Sequence, residues 1–224
     1  MVVVYFWSIK KRHLARALWH MGVDRLSLRA TRVTFFKSLG TGKGETFTPS
    51  DADITRWGLL VVIPEEDVAA FHNSRVVNSW RTFSQSEYRL LLKPISSHGQ
   101  WSGKTPFTVT AEPSEKWNGP VAAITRARIK WRMNAKFWRA VPPVTTSLRQ
   151  STGLRAAIGI GEAPIGLQGT FSIWDSAAAI REFAYQGAAH TAAIRATEQL
   201  NWYAEELFAR FAVLEESGTL KTPD

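Results

Sequence analysis

The stretch Trp57 to Ile63, WGLLVVI, carries no polar side chain, so both alternating sets of a strand built from it are apolar. Such a strand must be covered on two faces. Helices on one side of a sheet do not achieve that, and a second layer is required. The surrounding pattern suggests where it comes from. Residues 1 to 9, MVVVYFWSI, are β-branched and aromatic and read as a strand, and Lys11 to Met21 places Leu14, Ala17, Leu18 and Met21 at helical spacing. A strand over Val33 to Leu39 and a glycine-rich turn, Gly40 to Gly44, precede the apolar stretch. A helix from Glu65 to about Asn73 and a strand near Tyr88 to Ile95 follow it. The order β-α-β-β-α-β is the ferredoxin-like split unit, whose sheet keeps one face bare.

The second half repeats this order. Strand Val121 to Trp131 leads to a helix over Ala135 to Arg149, interrupted near Pro142 and Pro143. Strands Arg155 to Gly161 and Leu167 to Trp174, a helix from Ser176, another helix and a final strand complete it. Ungapped alignment sets Ile9-Lys10 on Ile129-Lys130, Arg12 on Arg132 and Ala15 on Ala135. A second alignment sets Trp57 to Ile63 on Gly169 to Asp175 and Phe71 on Phe183, and Gly40-Thr41-Gly42 echoes Gly159-Ile160-Gly161. The expectation is an α+β chain of tandem ferredoxin-like repeats, two sheets curling into one barrel with helices outside. The Ser, Gly, Pro and Lys content of residues 96 to 119 suggests the division: an N-terminal half 1–100, a connector 101–119 and a C-terminal half 120–224.

Composition narrows the chemistry. The chain has no cysteine, which excludes disulfides, thiolate nucleophiles, iron–sulfur clusters and thiolate-ligated haem, and fits a reducing cytoplasm. No apolar run approaches the roughly 20 residues needed to cross a bilayer. Lys10, Lys11 and Arg12 follow the first apolar stretch instead of preceding it, so the start is expected to be mature protein and not a secretory signal. The net charge of +9 points to an anionic partner (nucleic acid, a membrane surface or an acidic protein) or simply to a well-solvated surface.

Single motifs are less decisive. GTGKGE, residues 40 to 45, matches neither the dinucleotide nor the Walker spacing and reads as a tight turn. His13, His20, His72, His98 and His190 show no HExxH-type spacing. The pairs Glu65-Glu66 and Glu205-Glu206 turn to different sides of a helix and read as solvated surface. Arg126, Arg128, Lys130 and Arg132 alternate with Ala127, Ile129 and Trp131, a basic ribbon whose aromatic lies on the opposite face. Base stacking wants aromatics beside the cations, which disfavours nucleic acid and leaves carboxylate partners such as haem propionates, an acidic redox partner or anionic lipid. His190, on a helix, would share an apolar face with Phe183, Ile194 and Thr197. It reads either as a structural imidazole or as an iron ligand.

Longer segments resemble the spheroidene monooxygenases, carotenoid ketolases of purple bacteria. The resemblance rests on Phe36-Lys37 leading into Gly40 to Glu45 and Phe47-Thr48-Pro49; on Trp101-Ser102-Gly103 with Pro106-Phe107; and on Gly119-Pro120 with Ala122 to Ala127. It continues through Phe137-Trp138-Arg139, Gly159 to Glu162 with Pro164, Thr170 to Trp174, and Trp202 with Glu205-Glu206-Leu207 and Ala209-Arg210-Phe211. Residues 64 to 100 and the polar C-terminal tail depart from it. The resemblance implies a dimeric α+β barrel arranged as a pseudo-dimer, a haem cofactor working with oxygen, and an electron donor such as ferredoxin. It also implies oxygen insertion into a hydrophobic carotenoid-like substrate, two hydroxylations at one carbon giving a geminal diol and then a ketone. On that basis His190 is expected to bind the iron, with Phe183 and Ile194 beside the cofactor. Gln168 and Ser172, on one face of their strand with Thr170 and Trp174, and Arg126 are the expected catalytic side chains. Peripheral membrane contact and self-association are further expectations. A haem-binding protein without turnover and a basic nucleic-acid-binding module are the alternatives.

Overall fold

The computed structural model describes residues 1–29, 31–43, 48–109, 117–130, 132, 145–162, 169–186 and 203–220. Eight strands close into one antiparallel barrel. They are β1 (Val2–Ile9), β2 (Phe35–Gly42), β3 (Ala52–Val62), β4 (Ser84–Gly99), β5 (Val121–Ile129), β6 (Leu154–Gly161), β7 (Gly169–Trp174) and β8 (Tyr203–Gly218), in the order β1-β3-β2-β6-β7-β5-β8-β4. Each half contributes a ferredoxin-like set of four, β2-β3-β1-β4 and β6-β7-β5-β8, and the sets join edge to edge at two seams. The β2–β6 seam is short: Gly40, Thr41 and Gly42 pair with Gly161, Ile160 and Gly159. The β4–β8 seam is long and runs from Tyr88↔Gly218 to Gly99↔Leu207.

Outside the barrel, α1 (Leu14–Arg29), α2 (Val68–His72) and α3 (Arg75–Arg81) cover the N-terminal sheet, and α4 (Ala177–Gln186) together with residues 145–149 lies on the C-terminal one. Ser74 caps α3, its Oγ accepting from the Val77 amide. The bare sheet faces meet as a continuous barrel interior in which Val4, Leu60, Leu90, Ile124, Ile158, Phe171 and Phe211 are buried. The interior is a packed core: Phe6 lies 5.4 Å from Phe171, and Phe107 meets Phe211 edge-on at 4.9 Å. WGLLVVI is therefore covered on both faces, Leu60 by the interior and Trp57, Leu59 and Val61 by the helices.

The registers make the internal symmetry exact enough to test. Val4 pairs with Leu60 and Leu90, and Ile124 pairs with Phe171 and Ala209. Val4 is thus equivalent to Ile124, as the first alignment expects. Leu60, however, is equivalent to Phe171 and not to Ser172, so the second alignment slips by one residue, which in a strand exchanges inner and outer faces. The ends of β4 and β8 match closely. Gly99 and Gly218 adopt φ of +88° and +84°, and a Cβ on either would strike a backbone carbonyl, of Glu206 and Glu87 respectively. Those two glutamates are themselves equivalent in the pairing.

Other differences from the sequence reading share a cause. Gly40 to Gly42 is strand, not turn, because it pairs with β3 on one side and, across the seam, with β6 on the other. The strand near Tyr88 extends over Ser84–Gly99 and takes in the first residues of the Ser-, Gly- and Pro-rich segment 96–119. The basic ribbon ends early: β5 stops at Ile129, Arg128 is exposed and Arg126 is buried inside the barrel.

Candidate functional site

Two regions lie on opposite sides of the C-terminal sheet. The first is inside, at one mouth of the barrel. Arg126 stands where the other half has Phe6, and its side chain is only 4% exposed. Its Nη1 donates to Glu205 Oε1 at 2.6 Å and its Nη2 to Glu162 Oε1 at 2.8 Å. Glu162 also accepts from Lys37 Nζ (2.5 Å) and Trp101 Nε1 (2.6 Å). Glu205 accepts from the amides of Ser102 and Gly103, in a turn where both residues have positive φ. Arg126 and Lys37 both lie over the Trp101 ring, at 5.2 and 5.7 Å.

The two carboxylates and two cations balance. Burial pushes both glutamates up, but hydrogen bonds from Lys37 and Trp101 to Glu162, and from Gly103, Ser102 and Arg126 to Glu205, outweigh it and hold both below the usual carboxylate range. Both therefore stay ionised at neutral pH. The network crosses both seams: Lys37 on β2 reaches Glu162 just after β6, and the turn after β4 reaches Glu205 on β8. It clamps the barrel shut at a mouth where β2 and β6 share only three paired positions.

The pair Glu205-Glu206, expected on a helix as solvated surface, lies on strand β8, where Glu205 is a largely buried clamp residue, and Arg126 is buried too. Partners 79 and 36 residues away left no local trace of this. A signal was present all the same. Lys37, Trp101 to Gly103, Arg126, Glu162 and Glu205 each fall within a segment that carries the family resemblance.

The second region is the outer face of the same sheet. Pairing sets His98, Phe208, Thr125, Thr170 and Gly159 in one row, and Ser96, Arg210, Ala123, Ser172 and Ala157 in the next. The equivalent rows of the N-terminal half hold Tyr5 with Leu59 and Val3 with Val61 and Phe36, and Trp7 stands where the C-terminal half has Ala127. Bulk packed solidly under helices in one half is replaced by Ala, Ser, Thr and Gly in the other. Phe208 remains 40% exposed on this face. At its far end Trp174 donates from Nε1 to Ser172 Oγ at 2.9 Å and lies 5.5 Å from Phe183, which α4 presents together with Ile180 at helical spacing.

The expected site residues divide accordingly. Ser172 and Phe183 come together through Trp174. Arg126 lies across the sheet from them. Gln168, His190 and Ile194 lie outside the described residues. Of the described histidines, His13, His20 and His72 belong to the N-terminal half, and His98 is exposed at the β4 edge of the small-residue face. Among the described residues no three His, Asp or Glu side chains gather as a metal site, and no helix is long and apolar enough to cross a membrane.

No family model matches the chain. A spheroidene monooxygenase from Cereibacter sphaeroides is 34% identical over 93% of the chain and 66% of that protein. One from Rhodobacter capsulatus is 39% identical over 84% of the chain and 78% of that protein. The chain thus spans roughly two thirds to four fifths of the length of these relatives. Among solved structures an aldoxime dehydratase aligns over 97% of the chain and 83% of its own, with a TM-score of 0.58 at 10% identity, which is a likeness of fold. The identities, carried across most of the chain, show that the protein belongs to the spheroidene monooxygenase family of oxygenases.

Proposed function

We propose that the chain is a haem-dependent monooxygenase that inserts oxygen into a hydrophobic, carotenoid-like substrate to give a hydroxy or keto product. The observation that carries this reading is the outer face of the C-terminal sheet. Symmetry marks it as a face that the fold normally fills with Val, Tyr, Trp and Leu, and here the same positions hold Ala, Thr and Ser. In this reading the exchange of bulky for small side chains makes room for a slot that takes a flat apolar group.

The residues present fit a haem in kind. Ala123, Ala127 and Ala157 are the small side chains of this face, and Trp174 and Phe183, clustered with Ala123, Leu148 and Ile180, supply an aromatic end. Ser172, with its hydroxyl beside Trp174 Nε1, offers a polar atom there. His190 is our candidate for the iron ligand, with Ile194 beside it and Gln168 on the polar strand face. Bound haem would supply reducible iron able to activate oxygen. What this chain contributes is position and exclusion: small side chains set the depth of the slot, aromatic ones keep water from its end, and the Arg126 clamp keeps the supporting barrel rigid from the other side. Arg126 is a positioning residue in this reading, since both of its Nη atoms are committed to carboxylates. An acidic donor such as ferredoxin suits the net positive charge, and a cytoplasmic location suits both.

Haem titration followed by absorbance tests the cofactor. A Soret band that saturates at one equivalent and is lost or shifted in His190→Ala supports the reading, and no spectral change in the native protein contradicts it. Oxygen-dependent conversion of an acyclic carotenoid in the presence of a reductant separates a monooxygenase from a haem carrier.

A further inference from the structure

The helix α1 is apolar on two sides. Its inward side, with Ala17 and Leu28, packs on the N-terminal sheet, and the buried Asp24 is held there by His20 Nδ1 at 3.0 Å and Trp80 Nε1 at 2.8 Å. On the opposite side Ala15, Trp19, Gly22 and Leu26 recur at i, i+4, i+7 and i+11, one continuous stripe, with Leu18 beside it. Trp19 is 68% exposed, Leu26 64% and Leu18 41%, the first two being the most exposed large apolar side chains among the described residues. The helix needs none of them for its own core.

Cations border the stripe. Arg25 and Arg29 run along one side and Arg16 along the other, and Lys10, Lys11 and Arg12 precede the helix. All six are exposed, and none makes an ion pair among the described residues. Arg16 is held at its flank by a hydrogen bond to Thr82 Oγ1 (2.7 Å) and by the Phe83 ring beneath its guanidinium. The helix's one acidic residue is the buried Asp24, so no negative charge faces outward from it.

We infer that this face of α1 docks on an anionic phospholipid surface, with Trp19, Leu18 and Leu26 entering the headgroup boundary and the arginines and lysines engaging lipid phosphates. Charge complementarity selects this occupant. A stripe of large apolar side chains flanked on both sides by cations is the pattern of a helix lying in the plane of a membrane interface. A second copy docked through the same face would set six cations against six. Arg and Lys stems reach past an apolar stripe to keep their heads at the phosphates, which places them usefully at its flanks. The inference stands on α1 alone and holds whether or not the C-terminal face takes haem. The helix belongs to the N-terminal half, so docking leaves the small-residue face unobstructed by its own contacts.

Vesicle flotation of the full chain tests it, without haem or substrate. The native protein is expected to float with phosphatidylcholine vesicles containing about a third phosphatidylglycerol and to bind pure phosphatidylcholine far more weakly. Trp19→Ser/Leu26→Ser should lower the partition about tenfold or more with an unchanged melting temperature, since both side chains are exposed in the folded state. Arg25→Gln/Arg29→Gln should lower it on the anionic vesicles by roughly fivefold per charge removed, and raised salt should mimic that loss. Failure of the native protein to float with the anionic vesicles would overturn the inference, as would undiminished flotation of Trp19→Ser/Leu26→Ser. So would a sedimentation result in which the native chain is a dimer that this double variant dissociates, because the stripe would then be covered by a second copy.

Discussion

The two halves of the barrel share a backbone plan and differ in what they place on it. In the N-terminal half the outer sheet face is a layer of stacked rings: Tyr5 on Trp7 at 5.1 Å and Trp7 on Trp80 at 5.0 Å, both within 10° of parallel. Their polar atoms are bound to His72, Glu87 and Asp24. In the C-terminal half the equivalent positions are Thr125 and Ala127, and the large groups have moved to the edge as Trp174 and Phe183. Inside the barrel the exchange runs the other way, with Phe6 in one half and the buried Arg126 in the other. One half fills its outer face with aromatic rings, and the other carries small side chains there and a charged clamp inside.

The comparison is open to direct challenge. The largest effect is expected at the clamp: Arg126→Met leaves Glu162 and Glu205 facing one another without their shared cation, and chemical denaturation should register a loss of roughly 3–5 kcal/mol. If the variant is as stable as the native chain, the clamp has no structural role. Trp7→Ala should cost a similar or slightly smaller amount, about 3–4 kcal/mol, since it opens a cavity in the ring stack and strips Glu87 of a donor. At Ala127, its counterpart, enlargement to Leu should cost far less stability while impairing cofactor uptake.

Two equivalent glycines give a finer contrast. A Cβ at Gly169 would sit 2.5 Å from the Thr125 carbonyl oxygen and 2.9 Å from the Arg126 Cα, whereas at Gly58 it would meet the Phe6 ring at 3.1 Å. Backbone cannot step aside and a ring can tilt. Gly169→Ala is therefore expected to cost about 1–3 kcal/mol, and Gly58→Ala measurably less, by thermal unfolding of the two variants side by side. Equal losses would mean the two close approaches are not different in kind.

The smallest effect is on pH. Because Glu162 and Glu205 sit below their ordinary value in the folded state, their contribution is complete above the unfolded carboxylate pKa of about 4.3 and fades as pH falls through the folded values. The native melting temperature should fall between pH 5 and 3 more steeply than that of Glu162→Gln. A parallel decline would remove the clamp from the account of acid stability.

How much of this was legible depended on where the partners lay. WGLLVVI announced a strand buried on two faces, and Val2 to Ile9 a strand equivalent to Val121–Ile129, because local alternation and composition record burial directly. Gly40 to Gly42 looked like a turn because glycine is a poor strand former, and pairing on both sides, with β3 and with a partner more than a hundred residues away on β6, makes it strand. The mouth clamp left no trace in local pattern for the same reason: each of its charges looks ordinary beside its own neighbours, and their meaning is in the closure. The one-residue slip in aligning Trp57 to Ile63 had a different origin, since a stretch apolar on both faces carries no parity from which to read register. Helical and strand periodicity place Phe183 and Ser172 on the C-terminal face, where both contact Trp174, and their roles belong to the proposal.

The central claim is that the outer face of the C-terminal sheet takes the cofactor, and a haem titration of Thr125→Trp against the native protein tests it most directly. Thr125 is exposed at the middle of the small-residue face, and Tyr5 is its bulky equivalent in the other half. The account predicts a folded variant whose haem affinity falls at least about tenfold, a change of about 1.4 kcal/mol. Unchanged affinity in the folded variant would contradict it.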